Sequence, residues 1–242
     1  MHQLTRRQVA AGILAAGTLG TGLHFMASGD RHSTQHGERT VAHLPDNSSI
    51  ALNGETVLDV SLGKHRRLVR LEKGEALFDV ARDEKRPFVI DLGGAEIEVL
   101  GTKFNVRRNT DFIELTVLEG LVAVSSGPAG KLKVPAGSAA IIRPGLTTAA
   151  IRDPNLVHQR ASWVDGFLQF DNEPLEQVVE EFNRYRNAPL LIGDPRIRST
   201  LIAGRFGIDE SAEFVDALES SFDIRADRQT DGTVILMGKL NQ

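Results

Sequence analysis

The sequence predicts a mainly β N-terminal unit (a sandwich, jelly roll or β-roll) followed by a small α+β unit of order βαββαββ. Three observations predict this. Between Thr40 and Ile151, short runs alternate polar and apolar residues, the period that a half-buried strand requires. Turn pairs such as Asn53-Gly54, Lys73-Gly74, Gly93-Gly94 and Glu119-Gly120 separate those runs, and no helical period interrupts them. After Trp163 the pattern changes: strand-like runs alternate with two stretches whose apolar residues recur at helical spacing.

The totals bound the rest. A chain of 242 residues makes one large or two ordinary domains. With 41% apolar and 25% charged residues it can build a core, but aromatics are only 5%, so that core leans on Val, Ile, Leu and Ala. A net charge of −4 argues against a nucleic-acid partner, which shows as a basic face or stripe. The absence of cysteine removes disulfides and thiolate metal sites and sets no compartment.

The first elements concern the compartment. Met1–Arg7 read as a short cytoplasmic end. Residues 8–29, VAAGILAAGTLGTGLHFMA at their centre, carry no Asp, Glu, Lys or Arg after Arg6-Arg7. The run is either a membrane anchor with its N-terminus inside or an export signal of twin-arginine type. Both place the bulk of the chain outside the cytoplasm. Residues 30–40 are polar and aperiodic and read as a tether; His32 and His36 on it read as solvated imidazoles, not metal ligands.

The β-unit, residues 41–152, carries candidate strands at Ser49–Leu52, Thr56–Ser61, Arg67–Leu71, Glu75–Val80, Phe88–Asp91, Glu96–Leu100, Phe104–Arg107, Phe112–Leu118, Leu121–Ser125, Lys131–Val134 and Ser138–Ile142. The expected inward set is Leu52, Val57, Leu71, Phe78, Val80, Val89, Ile97, Val99, Phe104, Val106, Leu115, Val117, Val122 and Val124. VLGTKFNV, Val99–Val106, reads as two strands hinged at Gly101-Thr102. RDPNLVHQRAS, Arg152–Ser162, reads as the linker.

Residues 163–242 form the α+β unit. Gly166–Phe170 is a strand, Asp171 or Asn172 can cap a helix starting near Pro174, and Leu175, Val178, Val179 and Phe182 share its apolar face. Pro189–Ile192 and Leu201–Ile208 are strands, Pro195–Ser199 a basic loop and Ala212–Phe222 a second helix. Ile224–Asp227 and Thr233–Met237 pair as a hairpin.

A search for chemistry finds none. A metal-binding β-barrel needs converging histidines, and between Leu44 and Val157 only His65 is available. Glu72, Glu75, Asp79 and Asp83 sit among basic neighbours and read as a solvated strand face, not a carboxylate pair. No GxSxG elbow occurs. The sequence therefore predicts no enzyme, no cofactor and no metal. What remains is binding, in which an exposed strand edge adds a partner's strand. The candidate edges are Leu201–Ile208 and Thr233–Met237, with Leu201, Ala203, Arg205, Phe206 and Ile208 as the partner-binding set.

Several segments also resemble a family. LPDNSSIALN (Leu44–Asn53), RRLVRLEKGEALFDVARDEKRPFVI (Arg66–Ile90), VLGTKFNV and TVLEGLVAV (Thr116–Val124) are similar to successive motifs of the FecR-type anti-sigma regulators. GFLQFDNEPLEQVVEEFNRY (Gly166–Tyr185) resembles their C-terminal unit, related to the short signalling domain of secretins and TonB-dependent receptors. The resemblance implies an inner-membrane, single-pass protein with its bulk in the periplasm. It implies a signal taken from a TonB-dependent outer-membrane receptor during iron or siderophore uptake, an extracytoplasmic-function sigma factor as the regulated partner, and regulated-proteolysis proteases that release it. Met1–Arg7 are too few to fold as the family's cytoplasmic sigma-binding domain. Either the start lies further upstream, or the chain is a piece, or the sigma contact lies elsewhere. The reading from another class is an exported β-rich binding or scaffolding module of the envelope.

Overall fold

The computed structural model describes residues 29–126, 130–143, 146–147 and 150–239. Met1–Arg7, expected as a cytoplasmic end, and nearly all of the apolar run lie outside the described residues. The strands are β1 (Asp30–Ser33), β2 (Thr40–His43), β3 (Ser49–Leu52), β4 (Val57–Leu62), β5 (Arg67–Asp79), β6 (Phe88–Asp91), β7 (Glu96–Val99), β8 (Lys103–Arg108), β9 (Ile113–Glu119) and β10 (Leu121–Ser125). They continue as β11 (Lys131–Pro135), β12 (Ser138–Arg143), β13 (Leu146–Thr147) and β14 (Ile151–Arg152). Helix α1 (Pro154–Ala161) follows, then β15 (Phe167–Pro174), α2 (Leu175–Asn183), β16 (Leu190–Ile192), β17 (Leu201–Gly207), α3 (Ser211–Ser221), β18 (Ile224–Arg228) and β19 (Val234–Gly238).

The fold is mainly β with a small α+β region at the C-terminus, as the residue pattern predicts. Strand β5 is its spine. The first half of β5 pairs with β4 and, in parallel, with β6; the second half pairs with β3 and β8. The Lys73-Gly74 pair, expected as a turn between two strands, is instead the point where one long strand passes from the first set of partners to the second. Gly74 lies there at φ +90°, and a Cβ on it would fall 2.4 Å from Thr56 Oγ1, so only glycine fits. The β4–β5 register shifts beside it, between Val57 and Leu58. That shift corrects the inward set: Leu58 and Val60 enter the core, and Val57 is only half-buried. The other predicted inward residues are buried, and Phe78 and Phe104 stack at 5.2 Å in the middle. Gly101 links β7, in the set that pairs with β6 and β10, to β8, in the set that pairs with β5 and β9.

Two segments differ from expectation. Asp30–Ser33, expected within a tether, is a strand paired along β4, because β4 offers a free edge and Arg31 bonds Asp59 and Glu72. The expected linker is mostly helix α1. Its Asp153-Pro154 start supplies an N-cap carboxylate that accepts from Leu156 N, followed by proline at the first helical position.

The C-terminal region has two small sheets, β15–β17 and β16–β19–β18, covered by α2 and α3. Strand β15 runs on to Pro174, so neither Asp171 nor Asn172 caps α2. The expected basic loop holds a 3-10 turn, Pro195–Ile197, capped by Asp194. Phe170, Phe182, Phe206 and Phe214 form the aromatic centre, with Phe182 and Phe214 stacked at 4.4 Å.

Candidate functional site

The residues expected to bind a partner lie on β17, and period-two alternation divides them. Leu201, at 55% exposure, Ala203 and Arg205 point outward. Phe206 turns inward onto Phe182 and Phe214, and Ile208, 2% exposed, lies just past the strand in the apolar cluster. Strand β17 pairs only with β15, so among the described residues its second edge carries no strand. Arg205 stacks its guanidinium over the Phe167 ring at 3.7 Å, which holds the long side chain flat on the ribbon. Strand β19, the other expected edge, is internal, between β16 and β18.

A second set of functional residues escaped the sequence reading. Glu75, Leu77, Asn105 and Arg107 alternate away from the core of the β-unit, and Glu75 lies directly across from Arg107 on β5 and β8. A lone sheet would leave this face to water. Here the end of α2 and the turn carrying Trp163 cover it, so Glu75, expected on a solvated strand face, is only 3% exposed. Glu72 and Asp83 do lie at the surface, paired with Arg31 and Arg86.

Burial demands partners. Arg184 Nη2 lies 2.6 Å from Glu75 Oε2, Arg184 Nη1 lies 2.7 Å from Glu181 Oε1, and Arg107 Nη1 lies 2.8 Å from Glu181 Oε2. The four charges thus alternate in sign along one chain. Asn105 Nδ2 donates to Glu75 Oε1 at 2.9 Å, and Asn53 Nδ2 lies near both Glu75 Oε2 and the Tyr185 hydroxyl. The indole N–H of Trp163 donates to Asn105 Oδ1 at 3.3 Å. Burial opposes the charge on Glu181, but Arg184 and Arg107 outweigh it and hold the carboxyl below its ordinary value. Burial likewise pushes the Tyr185 phenol up, so it stays neutral, accepting from Asn53 Nδ2. His36, exposed as expected, also ties its Nε2 to the Arg186 carbonyl at 2.9 Å. The arrangement offers ion pairs and hydrogen bonds, with no nucleophile–base pair. Among the described residues no group of three or more His, Cys, Asp or Glu is placed to hold a metal.

The comparisons with known proteins agree with this architecture. The family model described as "FecR protein" matches residues 30–123. Two crystal structures share the fold, at 1.65 and 2.50 Å resolution, each of a protein provisionally described as an anti-sigma factor from Parabacteroides distasonis ATCC 8503. The first has a TM-score of 0.72 and 26% identity, over 88% of this chain and 100% of that one. The second has a TM-score of 0.71 and 26% identity, over 88% and 99%. No curated protein matches the chain. The match from β1 into β10, together with a fold shared across most of the chain, supports a FecR-family anti-sigma factor.

Proposed function

We propose that the chain is a signal-transducing regulator of an extracytoplasmic-function sigma factor, receiving its signal from a TonB-dependent outer-membrane receptor of the iron or siderophore type. The observation that carries this reading is the FecR-family match, supported by the fold shared with the anti-sigma neighbours. The β-unit is the rigid body and the C-terminal region the receiver. The receptor's signalling domain docks on the outer face and free edge of β17, with Leu201, Ala203 and Arg205 as contacts. The apolar run after Arg6-Arg7 holds the chain at, or sends it across, the inner membrane, and regulated proteolysis then frees the sigma factor. Among the described residues no helix is long and apolar enough to span a membrane.

Calorimetry of the full chain against the signalling domains of receptors encoded in the same genome tests this. One domain should bind, and Ala203→Glu or Leu201→Asp should weaken it about tenfold or more, as central contact residues do. Full affinity in both variants would remove β17 from the reading; no binding by any domain would remove the receptor.

A further inference from the structure

The β-unit and the C-terminal region each keep their own apolar cluster. The buried residues of the first cluster end at Ile142. In the second, only Ala51 and Leu77 come from the β-unit, with half-buried Leu118 packed against them. Between the clusters lies the polar layer of Glu75, Arg107, Glu181, Arg184 and their amide partners. Such a contact buries little apolar surface, so the hydrophobic effect holds it weakly. Its ion pairs add little net stability either, because desolvation cancels most of their attraction, but they accept only one geometry. Removing one arginine strips a buried Glu181 carboxylate oxygen of its donor, Oε2 for Arg107 and Oε1 for Arg184, which water then has to replace, and water enters only if the layer opens.

We propose that this layer is a releasable clamp. The C-terminal region, Trp163 onward, leaves the outer face of the β-unit as one body, and the Arg107–Glu181–Arg184–Glu75 chain defines the closed position. This goes beyond receptor or sigma binding and depends on neither. His36 on the Arg186 carbonyl and Arg39 on the Trp163 carbonyl are further ties across the same contact.

The chain carries its own reporter. Trp163 is the sole tryptophan, 4% exposed, with its indole N–H on Asn105 across the contact. In the full chain, Arg107→Ala should shift tryptophan emission to the red and raise acrylamide quenching several-fold. Backbone amides of β8, β9 and α3 should keep their hydrogen-exchange protection, and Arg107→Lys should retain the buried emission. Should Arg107→Ala fail to fold, Arg184→Gln reads the same contact from the other side. Unchanged emission in the alanine or glutamine variant would overturn the clamp. So would an equal loss of protection in both cores, since that means one cooperative unit with nothing to release.

Discussion

At the scale of single residues, strand β5 shows how position decides the worth of a charge. Arg67 is fully buried: Nη1 lies 2.8 Å from Asp46 Oδ2 and donates to the Ala81 carbonyl, Nε donates to the Arg86 carbonyl, and the guanidinium lies 5.3 Å from the Phe88 ring centroid. Burial works against the Asp46 carboxylate, yet Arg67 beside it holds the group below its ordinary value. Three residues on, Arg70 pairs with Asp91 at the surface. Arg67→Ala should cost about 3–5 kcal/mol by leaving Asp46 buried without its cation. Arg70→Ala should cost about 1 kcal/mol or less, because water already screens the pair. Chemical denaturation of the two variants checks both. The sequence shows Lys64-His65-Arg66-Arg67 as one basic stretch, and nothing local distinguishes the arginine that the core encloses.

At the scale of elements, helix α2 carries both structure and coupling. Leu175, Val178, Val179 and Phe182 bury its apolar stripe, and Glu181 with its C-cap Arg184 faces the β-unit. The folded Glu181 carboxyl titrates below its unfolded value, so the unfolded chain binds more protons as the medium turns acid. Its contribution is present in full above pH 4.5, the ordinary value, and is lost as pH falls below that. Glu181→Gln should therefore flatten the acid limb of a stability-against-pH curve; an unchanged limb would show that the carboxylate is not held down. The alternation that revealed β8 and β9 was legible because their inner faces meet an apolar core. The outer face of β5 and β8 was not, because whether Glu75 meets water or Arg184 depends on a segment about a hundred residues away. Tertiary pairing also decided Asp30–Ser33, a polar stretch made a strand by the open edge of β4, and β19, whose central place needs the parallel partner β16. Helix α1, by contrast, was marked locally by Asp153-Pro154, and the polar composition around it hid the signal.

At the scale of the whole molecule, a β-body built on one spine strand carries a smaller α+β region on a polar seam. The FecR match and the shared fold support a role in sigma-factor regulation, and the proposed clamp makes the seam its movable contact. The most direct measurement is transcription from promoters of the cognate extracytoplasmic-function sigma factor, in the parent strain and in a strain lacking this chain. Deletion should alter the activity of that one regulon, the full chain should restore it, and Ala203→Glu should restore the basal level but not the response to the inducing nutrient. A sigma regulon unchanged by deletion, with and without inducer, would contradict that role.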